Sequence, residues 1–162
     1  MTVKMKRILA AAVTLCFLLT GCASPSKIMT YREEDAAFKV EIDFDGMRCK
    51  ADVTLPLDGK ASLVFTYPEE AAGIAVTLDG DMLYIGGGTP IPVKADAAGG
   101  TLASLLKVLS SSPSDVHTTV RCEIDGIPVC RCETGDGAVY VVSETGKPLR
   151  FVTGKTVADV ID

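Results

Sequence analysis

Strict two-residue alternation of apolar and polar side chains constrains this chain more than any other feature. Residues 38–44 read Phe-Lys-Val-Glu-Ile-Asp-Phe, so Phe38, Val40, Ile42 and Phe44 share one face and charged residues the other. Period two is the signature of a strand with one buried and one wet face. Asp45-Gly46 follows, a pair suited to a tight hairpin turn with positive φ. The alternation resumes through Met47, Cys49, Ala51, Val53 and Leu55. A helix-period core cannot be built from such a pattern, so the fold is dominated by antiparallel strands.

The pattern recurs along the chain. Leu63, Phe65 and Tyr67 form a third strand that Pro68 ends. Ile74, Val76 and Leu78 form a fourth, and Asp79-Gly80 turns it into Met82–Ile85. Gly86-Gly-Gly88 and Pro90-Ile-Pro92 read as a loop that interrupts the strands. One segment changes period: Leu102, Leu105, Leu106 and Leu109 fall at i, i+3, i+4 and i+7, one face of a helix. Pro113 lies beyond its end. Alternation then returns with Val116, Thr118, Val120, Cys122 and Ile124 on one face, an Asp125-Gly126 turn, and strands around Cys130–Cys132, 138–143 and 149–153. Residues 154–162 read as a last short strand or a helical turn. About ten strands and one amphipathic helix give an α+β fold, an antiparallel meander with the helix on its open side.

The N-terminus obeys a different rule. Lys4, Lys6 and Arg7 precede an apolar run over residues 8–19, which is signal-peptide grammar. That run is shorter than the roughly 20 residues that span a bilayer core. It ends in Leu19-Thr20-Gly21-Cys22. These four residues resemble the cleavage box of bacterial lipoproteins. The resemblance implies that residues 1–21 are removed and that Cys22 carries a diacylglycerol thioether, anchoring the protein to the extracytoplasmic face of a bacterial membrane. Residues 22–36 then read as the lipidated cysteine and a tether with room for one helical turn as it enters the domain, and 37–162 as a single domain. Small residues at 20 and 21 leave room for a peptidase, and the cysteine supplies the sulfur nucleophile. Several acyl chains make a stable anchor, at about 0.8 kcal/mol per buried methylene.

Charge narrows the function. The chain has 16 basic and 21 acidic residues, and three of the basic ones sit in the leader. A nucleic-acid partner calls for a basic stripe, so none is expected. No Gly-Lys-Ser/Thr follows the glycine run, so there is no phosphate-binding loop. Asp43-x-Asp45-Gly46 opens like a calcium loop, but its twelfth position is Thr54 rather than an acid. The carboxylate clusters Glu33-Glu34-Asp35 and Glu69-Glu70 are adjacent in sequence, the pattern of a solvated surface. No catalytic set, metal site or cofactor is expected, and the protein reads as non-enzymatic.

Beyond the leader and Cys22, four cysteines remain: Cys49, Cys122, Cys130 and Cys132. Export permits disulfides among them, with three full pairings open. Cys130 and Cys132 share a strand face and are badly placed to bond each other. Cys122 reaches Cys130 only if the intervening loop has an odd length; a two-residue turn sets it opposite Val129 instead. A metal site of thiols with His117 is the competing assignment, but His117 has the opposite parity to Cys122.

The order of elements carries a further resemblance. A cleavage box precedes Phe38-Lys-Val-Glu-Ile42, then Leu63-Val-Phe-Thr-Tyr-Pro68, Gly73–Gly80 and Met82-Leu-Tyr-Ile85, a leucine helix, and Gly146-Lys-Pro-Leu-Arg-Phe151. This series resembles the lipoprotein-carrier (LolA/LolB-like) superfamily over residues 37–153. The resemblance implies a half-open antiparallel barrel whose apolar cavity takes an acyl lipid, a lipoprotein or another hydrophobic ligand. It makes Leu102, Leu105, Leu106 and Leu109 a lid helix, and Phe38, Val40, Ile42 and Phe44 the cavity lining. The competing expectation is a barrel filled by its own side chains, a structural module that binds an envelope protein partner.

Overall fold

The computed structural model describes residues 23–57, 60–95 and 100–161. The leader and Cys22 lie outside the described residues. Among these, eleven strands form one antiparallel sheet: β1 (Ala36–Phe44), β2 (Met47–Leu55), β3 (Ser62–Tyr67), β4 (Ala75–Asp79), β5 (Met82–Gly86), β6 (Ile91–Lys94), β7 (Thr118–Ile124), β8 (Ile127–Glu133), β9 (Ala138–Val142), β10 (Pro148–Thr153) and β11 (Thr156–Ile161). Their order is β6-β5-β4-β3-β2-β1-β11-β10-β9-β8-β7. Two meanders, one from each end of the domain, meet along β1 and β11. The sheet does not close, and the expected half-open barrel is what forms.

The Asp-Gly pairs set the hairpins. Asp45 (φ 54°) and Gly46 (φ 97°) both take positive φ, as the tightest hairpin turn requires. Register then fixes the faces. Phe38, Val40 and Ile42 stand opposite Val53, Ala51 and Cys49, and Ile42 stands opposite Ala158 on the other side. This inner row continues through Phe151, Val139 and Cys132. The outer face carries charge. Lys50, Glu41, Asp159, Arg150, Tyr140 and Arg131 are successive cross-strand neighbours. Arg150 donates through Nε and Nη2 to the two Asp159 oxygens at 2.5 and 3.1 Å. The Arg131 guanidinium lies 5.9 Å from the Tyr140 ring centre.

The leucine helix, α2 (Gly100–Ser110), packs on the inner face. Leu105, Leu106, Val108 and Leu109 are fully buried in the same core as Val40, Ile42 and Phe151. Gly137, just before β9, lies tight against both helix and sheet. A Cβ there would collide with Val152 O and lie 2.9 Å from the Val108 side chain.

Three expectations need correction. Residues 25–32, read as a tether with room for one helical turn, do hold that turn, α1 (Pro25–Ile28), but with a 3₁₀ turn (Thr30–Arg32) they bury Ile28, Met29 and Tyr31 in the core. Their apolar side chains cover the inner face near the β9–β10 turn, where Gly146 abuts Thr30. The Pro90-Ile-Pro92 stretch contributes to a strand after all. β6 pairs only with β5, so Pro92 needs no second hydrogen-bonded neighbour. Finally, the apolar face of β7 points outward. Arg121 stands opposite Cys130, which belongs to the barrel core, and Cys122 opposite Val129, which is buried but outside that core, so parity sends Val120 and Cys122 to the convex side.

Candidate ligand site at the mouth of the half-barrel

Two hairpin tips, one loop and the first turn of α2 described here frame an open end of the barrel. The β1–β2 turn brings Asp45, and the β10–β11 turn brings Gly154 and Lys155. The 3₁₀ turn after Pro68 closes a third side, and Thr101, Leu102 and Ser104 of α2 a fourth. Together they surround a cavity of about 770 Å³. This lies within the roughly 300–1,000 Å³ range of small-molecule sites.

The walls are mostly apolar: Phe44, Met47, Phe65, Pro68, Ala71 and Leu102. Met47 leaves 62% of its surface in solvent at the rim. Asp45, Thr101, Ser104, Thr153, Lys155 and Thr156 add polar groups, with Thr153 and Thr156 buried and the two charged residues at the rim. Lys155 Nζ lies 3.4 Å from Asp45 Oδ2, joining the two hairpin tips. Both side chains are well exposed, so the pair is weak and free to exchange partners. Cys49 lines the inner wall, and burial pushes its thiol pKa up. The thiol is therefore protonated near neutral pH and acts as a small soft wall. The arrangement offers apolar contact along its depth and hydrogen-bonding or ionic contact at its rim, which suits an amphiphile.

Of the residues expected to line a cavity, Phe44 and Leu102 do so here. Phe38 lines a second recess of about 590 Å³ at the opposite end of β1, with Tyr31, Lys147, Pro148 and Val160. Val40, Ile42, Leu105, Leu106 and Leu109 lie between the two ends and are fully buried. Phe38 and Phe151 stack there with ring centres 5.7 Å apart. The middle of the barrel is thus packed by its own side chains, and these two cavities lie towards its ends. Alternation identified the inner face but not this division, because it carries no information on depth along a strand. Met47, Phe65 and Lys155 were not singled out by sequence; an exposed methionine directly after an Asp-Gly turn is the signal that could have found the rim.

The cysteines are spread across the sheet. Cys49 lies on β2, five strands from Cys130 and Cys132 on β8. Cys122 is exposed on the convex side, while Cys130 and Cys132 are buried on the concave side. Cys130 and Cys132, two residues apart on one strand, point the same way at about 6.6 Å spacing, near the upper limit of disulfide geometry. Strand order sets Cys49 apart from the other three, and parity sets Cys122 on the face opposite to Cys130 and Cys132. His117 is exposed just before β7. Among the described residues no group of three or more His, Cys, Asp or Glu side chains is gathered for a metal ion.

No protein-family profile matches the sequence, and no curated protein matches it. Solved structures do. An uncharacterized conserved protein from Thermus thermophilus is similar with a TM-score of 0.52 at 10% identity, over 84% of this chain and 81% of that one. A LolA superfamily protein from Nitrosomonas europaea is similar at 13% identity and a TM-score of 0.45, over 86% and 91% of the two chains. An outer membrane lipoprotein-sorting protein domain from Vibrio parahaemolyticus, described as putative, matches at 12% identity and a TM-score of 0.46, over 84% and 89%. At these identities the likeness is one of fold alone, carried by the Thermus thermophilus structure: an open antiparallel half-barrel wrapped around a helix.

Proposed function

We propose that this protein is a membrane-anchored lipoprotein of the bacterial cell envelope that holds an acyl lipid, or a related amphiphile, in the mouth of its half-barrel without catalysing a reaction on it. One observation carries the reading: a cavity of about 770 Å³ at the open end, apolar along its walls and bearing a single Lys–Asp pair at its rim. The packed middle limits how deep a chain enters. An acyl tail lies along Phe44, Phe65 and Leu102, and its headgroup stays at the rim near Lys155. The fold is compatible with this reading, and the cleavage-box sequence ending at Cys22 supplies the anchor.

Native mass spectrometry with palmitate and with a palmitoyl lysophospholipid tests it. A one-to-one adduct is expected, and Leu102→Glu weakens it about tenfold by setting a charge in the apolar wall. A mass that stays bare with both probes overturns the reading and favours a self-filled barrel that binds an envelope protein, a role the packed middle would also suit. The anchor has its own test. Cells fed an alkyne-tagged fatty acid should label the full chain, and Cys22→Ser should abolish the label; labelling that survives this substitution removes the anchor.

A further inference from the structure

The two edges of the sheet differ. β6 has Pro92 inside the strand and Pro90 just before it, which blunts that edge. β7 has no proline, every residue from 118 to 124 is exposed or half-buried, and among the described residues nothing pairs with its outer side. The direction of its backbone groups follows from the turn. Ile124 and Ile127 flank the two-residue Asp125-Gly126 turn. Such a flanking pair exchanges both hydrogen bonds, and the alternation continues down the strand. Val120, Cys122 and Ile124 therefore direct their peptide groups to β8, and Thr119, Arg121 and Glu123 direct theirs to the open edge.

About Cys122 the strand is a palindrome in chemical type. Arg121 and Glu123, of opposite charge, flank it on the concave side. Val120 and Ile124, both apolar, lie one step further out on the convex side. Val120 leaves 46% of its surface in solvent. Set a second copy antiparallel against this edge, with the two-fold axis at Cys122. Each Arg121 then faces Glu123 of the other copy, and each Val120 faces Ile124. Arg121 and Glu123 become the hydrogen-bonded pairs, which is the direction in which their peptide groups already point. Cys122 faces Cys122 in a non-hydrogen-bonded pair, where Cα atoms are about 4.5 Å apart. That spacing falls within the disulfide range of about 4.4–6.8 Å. Cross-strand pairs of all three kinds thus agree in one register, and the interface is isologous.

We propose that two copies of this chain associate edge to edge through β7, with Cys122 on the two-fold axis. The exposed thiol makes the register readable. Envelope fractions from cells producing the full chain are treated with diamide. The reagent takes two electrons and two protons from a pair of thiols, becoming the hydrazine and leaving one S–S bond. The expected product has twice the chain's mass on a non-reducing gel, and its peptide map joins Cys122 to Cys122. Glu123→Arg sets arginine opposite arginine twice and lowers the cross-linked yield about tenfold. Arg121→Glu combined with Glu123→Arg makes every pair complementary again and restores the yield, which separates pairing from a folding defect. Four outcomes overturn the proposal: no dimer; Cys122 joined to a different protein, which gives the open edge to another partner; a yield indifferent to charge reversal, which marks random collision; or a double variant that fails to recover.

Discussion

At the scale of single residues, Tyr31 shows how burial becomes a measurable property. It is 9% exposed, and among the described residues its hydroxyl has no hydrogen-bond partner. Desolvation is the main reason its pKa is pushed well above the ordinary tyrosine value of about 10. Below that pH both folded and unfolded chains carry a neutral phenol, and Tyr31 has no effect on the pH dependence of stability. Above it the unfolded chain ionises while the folded one does not, so stability falls as pH rises. Tyr31→Phe should flatten the loss of melting temperature above about pH 10. It should leave stability at pH 7 unchanged or slightly higher, because an unpartnered hydroxyl is removed. Thermal melts of both proteins across pH 7 to 11 check this; a variant as alkali-sensitive as the parent counts against it. Gly137 is the complementary case. It is needed for space, since any Cβ collides with Val152 O. Gly137→Ala should cost about 2 kcal/mol in denaturant unfolding, in the range of overpacked cores.

Elements explain what could be read in advance and what could not. β1, β2 and α2 were legible because each obeys one period without interruption and each is bounded by a turn or a proline. Leu105 and Leu106 sit at the centre of that legible helix and are fully buried. Leu105→Ala should destabilise by about 2–5 kcal/mol, whereas Leu102→Ala at the mouth should cost less, because Leu102 keeps part of its surface in the cavity. Chemical denaturation of the two variants gives the comparison, and equal losses would mean that the mouth is packed like the middle. β7 misled for a definite reason. Its alternation is as regular as that of β1, but period two does not say which face is buried. Only the register against β8, fixed by the turn length, turned Val120 and Cys122 outward. The N-terminal segment was illegible because it buries Met29 and Tyr31 from short irregular turns that follow neither period. The candidate site was half legible: Phe44 and Leu102 came from faces, but the rim came from loops brought together by the fold.

At the scale of the whole molecule, the seam between β1 and β11 holds the two meanders in one sheet. Cutting the chain after residue 154 removes β11 and leaves β1 and β10 with one open side each. The buried row through Ile42, Ala158 and Phe151 loses its middle member. The truncated chain should show no cooperative unfolding transition, read by tryptophan-free near-ultraviolet circular dichroism or by urea titration; a cooperative transition would mean that each meander folds alone. Native hydrogen exchange should find the slowest amides in β1 and β11, since opening either one opens the core.

That seam also sets a clock. The first strand of the sheet has to wait for the last one, more than a hundred residues downstream, before its second edge is covered. Long-range pairing of this kind is slow to form. While the chain is being made, the sheet therefore stays unfinished until β11 has emerged. A protein built this way keeps itself threadable for as long as synthesis lasts. The export leader proposed here would gain time from that delay: the fold that would block passage through a membrane pore is the one step that the topology postpones to the end.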